Sequence, residues 1–117
     1  MQQIAQRLYE LCNQGKFEQA QKELFAKNAV SIEPQESPGF DKVTKGLEAI
    51  FKKGETFSSM VKEFHSCKAS EPIIGGNAFA ITLSMDATMK DGSRIPMDEI
   101  CVYEVKDGKI ISEQFFM

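Results

Sequence analysis

Tryptophan is absent from the 117-residue chain, histidine occurs once, and the cysteines number three. With His65 alone, a histidine-based metal site has too few ligands, and no carboxylate cluster shows recognisable metal spacing, so no metal is expected. Cys12, Cys67 and Cys101 are widely spaced, odd in number and without a Cys-x-x-Cys pair. They suit reduced thiols in the cytoplasm better than a disulfide framework or a zinc site. An excess of positive charge is also missing: Lys and Arg total 14 against 17 Asp and Glu, a net charge of −3. A phosphate-backbone binder needs a basic surface, so no nucleic acid partner is expected. No apolar run approaches the roughly 20 residues that span a bilayer, which argues against a membrane partner. Met1-Gln2-Gln3-Ile4-Ala5-Gln6-Arg7 lacks the basic-then-apolar pattern of a secretory signal. Gly75-Gly76 is a turn with no helix behind it, so the phosphate-cradling loop of a nucleotide site is lacking and no cofactor is expected.

What is present is ordinary for a soluble globular protein, 42% hydrophobic and 26% charged. The length fits one domain, residues 1–117, and a chain this short buries only about two-thirds of its surface, which makes a homodimer reasonable. Ile4, Leu8, Leu11 and Cys12 recur at helical spacing, with Gly15 as the stop signal. Phe17, Ala20 and Leu24 continue as a second helix, forming a helical hairpin with the first. Residues 29–34 are β-branched and end at Pro34, which predicts a short strand; residues 34–43 read as a loop. A third helix is expected from about Thr44 to Met60, interrupted at Gly54 because glycine costs about 1 kcal/mol in a helix interior. The lysines there and just before it, Lys45, Lys52 and Lys53, read as a solvated face.

The second half reads as sheet. Strands are expected over residues 61–71, 78–89, 94–105 and 109–117, separated by Gly75-Gly76-Asn77, Asp91-Gly92 and Asp107-Gly108. Phe79, Ile81, Leu83, Met85 and Met89 alternate with Thr82, Ser84, Asp86 and Thr88, one set on each face. Helices first and strands afterwards predict an α+β fold with helices on one face of an antiparallel sheet.

Four stretches carry a family resemblance: residues 24–34 (LFAKNAVSIEP), residues 45–50 (KGLEAI), residues 97–105 (MDEICVYEV), and residues 106–111 (KDGKII) with the terminal EQFFM. Their order resembles the SnoaL-like, or nuclear transport factor two-like, superfamily, which includes the ketosteroid isomerases. The resemblance implies a cystatin-like cone, a bent antiparallel sheet wrapped around a long helix and enclosing a conical pocket. Met60, Met85, Met89, Met97 and Met117 would make a deformable apolar wall if several lined that cavity, which suits a small hydrophobic molecule as partner. The superfamily holds isomerases, hydrolases, dehydratases, cyclases and non-enzymatic binders, so fold alone does not name the chemistry.

Glu33 stands where the isomerases carry their general base, one methylene longer. Their tyrosine donor aligns with Leu8, with Tyr9 one residue away, and their protonated acid aligns with Cys101, a weaker donor. Steroid isomerisation is therefore not expected. An apolar cone raises the pKa of acids facing it, so Glu33, Asp86, Asp98, Glu99 and Glu113 are candidates for acid–base work, Glu33 and Glu99 foremost. If Asp91-Gly92 is a two-residue turn, Ser84 lies opposite Glu99, and Thr82, Ser84 and Asp86 share a face with Glu99, Cys101 and Tyr103. A three-residue loop or a bulge would instead set Glu99 beside Met85. Matching to the isomerases turns the face shared by Thr82, Ser84, Asp86 and Glu99 toward the pocket, with Tyr103, Cys101, His65, Glu113, Met97 and Phe115 as ligand contacts. Ile100, Val102 and Phe116 then face outward, apt for a homodimer. Each acid also has a plainer reading, as a local cap or rim ion pair. The rivals to a cofactor-free isomerase, hydratase or dehydratase are a non-catalytic carrier or sensor and a protein-interaction module.

Overall fold

The computed structural model describes residues 1–37 and 39–117. Helix α1 (Gln2–Asn13) turns at Gly15, whose φ of +72° is open to glycine, into α2 (Phe17–Leu24). Strand β1 (Phe25–Ile32) follows without a break and begins four residues earlier than the sequence pattern suggests. Of the expected 34–43 loop, residue 38 lies outside the described residues, while Ser37 and Phe40 form an isolated bridge. The short β2 (Val43–Lys45) then pairs with β1, and α3 runs over Leu47–Met60. It continues through Gly54 instead of breaking there. Burial of Ile50 before that glycine and packing of Phe57 after it hold the helix, and tertiary contact outweighs a single weak residue.

Strands β3 (Val61–Ala69), β4 (Ile73–Gly75), β5 (Ala78–Met89), β6 (Arg94–Lys106) and β7 (Lys109–Phe116) complete a seven-stranded sheet. Its order is β2-β1-β7-β6-β5-β3, with β4 on β5. All pairs are antiparallel except β1 with β7, so the sheet is mixed and not purely antiparallel. Sequence alternation does not distinguish the two pairings, because side chains alternate in both. The α+β class stands.

The principal core joins Leu8, Leu11 and Cys12 of α1 to Phe79, Ile81 and Leu83 of β5, Cys101 and Tyr103 of β6, and Ile110. A smaller cluster holds Val61, Ala87 and Met89 beneath Phe57 of α3. Between these clusters, in strand register, lie Met85 and its partner Met97, both half-buried. The end of α1 is fastened to β3 by Asn13. Its carboxamide accepts from the Ala69 N–H at 2.9 Å and donates to the Ala69 carbonyl at 3.4 Å.

The hairpin that carries β5 into β6 decides which acids face inward. Gly92 N–H donates to Met89 C=O at 3.0 Å and Met89 N–H to Ser93 C=O at 2.8 Å, with Gly92 at φ +92°. This is a three-residue loop, Lys90-Asp91-Gly92, closed by a glycine in the left-handed region. The two-residue alternative is thereby excluded. Leu83 lies opposite Glu99, and Ile81 opposite Cys101. Thr82, Ser84 and Asp86 consequently sit on the outer face. There Ser84 Oγ donates to Asp98 at 2.7 Å, and Arg94 holds Asp86 through two bonds of 3.0 and 2.7 Å.

Candidate functional site

Parallel pairing of β1 with β7 sets Ser31 beside Glu113, and β6 sets Tyr103 on Glu113's other side. Ser31 shares its face of β1 with Ala29, and both are fully buried. From α3, Lys53 reaches down into this group. It lies three residues after Ile50 and four before Phe57, on the one stripe of the helix that turns inward. Its Nζ donates to Ser31 Oγ and to Glu33 Oε1, the latter at 3.0 Å, and stands 5.7 Å from the centroid of the Phe115 ring. Ser31 Oγ donates in turn to Glu113 Oε1 at 2.8 Å. Ser31 of β1, Lys53 of α3, Glu113 of β7 and Glu33 just beyond β1 thus form one hydrogen-bonded line, Glu33–Lys53–Ser31–Glu113.

A second polar line runs down the inner face of β6. Tyr103, Cys101 and Glu99 occupy alternate positions, and Cys101 Sγ approaches Glu99 Oε1 at 3.9 Å. Burial is the main force on these groups. It raises the Glu113 carboxyl to about 7, with Glu33's charge adding to the rise and the Ser31 bond and Lys53's charge opposing it. Burial likewise raises Glu99 to about 7, reinforced by the charges of Glu33 and Glu113. Both carboxyls therefore exchange protons near neutrality, in surroundings supplied by Leu83, Met85, Met97 and Phe115. The thiols are pushed the other way from reactivity. Cys12 rises to about 12, and Cys101 and the Tyr103 hydroxyl rise well above their ordinary values, in each case chiefly through burial. Cys101 is a packed side chain here, not a thiolate nucleophile.

The remaining candidates separate cleanly. Glu33 meets the group through its ion pair with Lys53. Glu113, Cys101 and Tyr103 are buried on the inner face, with Glu99, Met97 and Phe115 half-buried beside them. Asp86 and Asp98 face outward, in the pairs already described. His65 is exposed and bonded to Thr88 on the outer side of β5 at 2.6 Å, with Glu63 at 3.9 Å. The structure does not bring it to the inner carboxyls. Met60 and Met117 are exposed, and Met89 is locked in the smaller cluster, which leaves Met85 and Met97 as the apolar sulfurs beside Glu99. Sequence reasoning missed Lys53 and Ser31. Helical spacing from Ile50 and alternation from Ala29 would have found both, had charge and polarity not been taken as signs of exposure.

Comparison with known proteins places this arrangement. The sequence model of the SnoaL-like domain matches residues 1–117. The chain belongs to the SnoaL-like domain family. Among solved structures, this SnoaL-like domain is similar to a Mesorhizobium loti protein provisionally assigned as a SnoaL-like polyketide cyclase (carbohydrate phosphatase). The two are 34% identical over 98% of this chain and 97% of that one, with a TM-score of 0.90. It shares its fold with TerC, co-crystallised with polyporic acid, at 13% identity, 98% and 88% coverage and a TM-score of 0.79. A protein of ketosteroid isomerase-like fold from Catenulispora acidiphila, in complex with trimethylamine, is 14% identical over 97% and 84%, with a TM-score of 0.71. No curated protein matches the chain. No helix among the described residues is long and apolar enough to cross a membrane.

Proposed function

We propose that this SnoaL-like domain, acting in the cytoplasm, takes a small, largely apolar molecule into a conical pocket between α3 and the inner sheet face. There it performs cofactor-free acid–base chemistry of the isomerase, hydratase or dehydratase type. The observation that carries this reading is Glu99, a carboxyl titrating near 7 among Leu83, Met85 and Met97 and facing the same interior as Glu113. Glu99 serves as proton acceptor, and Glu33 acts with it by holding Lys53. Met97, Phe115 and Glu113 supply contacts to the ligand, with Tyr103 and Cys101 packed behind them. The organic molecules carried by TerC and by the Catenulispora acidiphila protein support a small-molecule ligand.

An enolisable apolar ketone, 2-tetralone, is a suitable probe. In D2O the protein is expected to accelerate deuterium incorporation at its α-carbon, followed by proton NMR, with a rate that rises with pH toward about 7 as Glu99 ionises. Glu99→Gln should lower that rate by about 100-fold or more, the usual scale of a general base. An unchanged rate in Glu99→Gln would remove Glu99 from the chemistry. Leu8 and Cys101, where the isomerases carry hydrogen-bond donors, favour a carrier or sensor as the second reading, and binding of 2-tetralone without exchange would select it.

The outer sheet face supports a homodimer in this proposal. Ile100 and Phe116 pair across β6 and β7 and are 49% and 48% exposed, with Val102 beside them. Such a patch is apolar enough to mark an interface. Sedimentation should give twice the 13.1 kDa chain mass, reverting to one in the Ile100→Glu, Phe116→Glu double variant. A monomeric wild-type protein would dismiss the dimer.

A further inference from the structure

The line from Glu33 to Glu113 has a direction that hydrogen-bond chemistry dictates. A lysine ammonium carries donors and no acceptor. Ser31 Oγ must therefore accept from Lys53, and its single proton is left for Glu113 Oε1, 2.8 Å away. Oε1 is consequently an acceptor whether Glu113 is ionised or neutral, and any proton that Glu113 carries resides on Oε2. No hydrogen bond to Oε2 is made among the described residues, and no sealed side-chain oxygen or nitrogen among them lacks a partner, so Oε2 keeps access to open space. Lys53 is itself held, by Glu33 Oε1 at 3.0 Å and by the face of Phe115. Ser31 is wholly buried and has no alternative partner to turn to among the contacts described.

We infer that Lys53 and Ser31 are positioning residues for Glu113: by occupying Oε1 they leave Oε2 as the one atom through which Glu113 passes a proton to or from an oxygen of the bound molecule. This deepens the acid–base reading above and rests on it for the reaction. In an enolisation, Glu99 takes the α-proton, and the C–H electron pair becomes the C=C bond. The carbonyl π pair moves onto oxygen, which bonds the proton from Glu113 Oε2, and the O–H pair stays on Oε2. Return of the Glu99 proton to carbon and of the enol proton to Oε2 restores both carboxyls, so no co-reactant is consumed. The new Glu113 carboxylate keeps the Ser31 bond and faces the Lys53 charge. The groups that face it are Ser31 and Glu33 from the β1 side, Lys53 from α3, Tyr103, Cys101 and Glu99 from β6, and Cys12 from α1. The ligand class that exploits such a group is one with a carbonyl or ether oxygen at the end of an apolar body.

Carbon-13 NMR of glutamate-labelled protein tests this without a ligand, with the Glu113 signal identified by its loss in Glu113→Gln. The Ser31 bond and the Lys53 charge both favour the ionised form, so Ser31→Ala and Lys53→Met should each raise the Glu113 midpoint by at least about 0.5 pH unit. Ser31→Thr, which restores the hydroxyl, should keep it. With 2-tetralone, Ser31→Ala should lower kcat about tenfold with KM changed less than about twofold, the mark of an interaction used in the transition state. An unmoved midpoint together with an unmoved kcat in Ser31→Ala would overturn the positioning role while leaving the Glu99 reading intact. A moved midpoint in a protein that never exchanges 2-tetralone would do the reverse.

Discussion

Raising the pH from 4.5 to 8 is expected to destabilise this SnoaL-like domain, by on the order of 2–3 kcal/mol from Glu113 alone. The cause is the buried carboxyl at about 7, against an ordinary glutamate value of 4.5. Between those two values the native protein keeps a proton that the unfolded chain releases. Stability from this group is therefore fully present below pH 4.5, falls as pH rises through 7 and is flat above. Glu99 acts in the same direction with smaller weight because water reaches it. Glu23, Asp86 and Asp91 are all lowered by hydrogen bonds, so their contribution is lost only on acidification below the window. Urea unfolding at pH 5 and pH 8 measures the difference, and Glu113→Gln should remove most of it, leaving the smaller share from Glu99. A wild-type stability that holds or climbs across that interval would mean that Glu113 is ionised at little cost.

Phe79→Ala should cost about 3–5 kcal/mol, the range for emptying an aromatic site in a packed core. Phe79 is 2% exposed and stacks on Tyr103 at 5.0 Å between ring centroids, and Tyr103 meets Phe25 edge-on at 6.4 Å. The loss reaches the candidate site because Tyr103 is the register partner of Glu113. A void behind that ring lets water toward the carboxyl, so the Glu113 midpoint should fall along with stability. Denaturant melts combined with the carboxyl titration would read both. A cost below about 1 kcal/mol would show that the neighbours collapse into the space.

Local patterns made most of this fold legible. Helical spacing located α1 and α2, and alternation over Phe79–Met89 sorted the two faces of β5 from one another, because each signal depends only on near neighbours. The two short strands escaped notice, since three residues at β2 or β4 carry too little pattern to register. The partner of β1 was equally hidden: pairing with β7 joins segments far apart in the chain, and nothing in the composition of Phe25–Ile32 specifies it. The site was half visible. Glu99 and Glu113 were suspected because acids on an inward strand face are chemically conspicuous. Lys53 was misplaced because a lysine on a helix is usually solvated, and only its three partners, Glu33, Ser31 and the Phe115 ring, explain why this one is not. The error over Thr82, Ser84 and Asp86 came from a single residue in the Asp91-Gly92 loop, since one added position reverses the faces of every later pair.

The carboxamide of Asn13 has a bearing on how the protein behaves when crowded. Strand β3 ends the sheet, and an unpaired strand border offers its peptide groups to any extended segment that drifts past, the first step toward fibrils. At Ala69 that offer is withdrawn, because Asn13 supplies the donor and the acceptor that a passing backbone would otherwise provide. Lys62, Glu63 and Lys68 line the rest of the border with charge. The same small amide that anchors the first helix thus doubles as a stopper against self-templated growth.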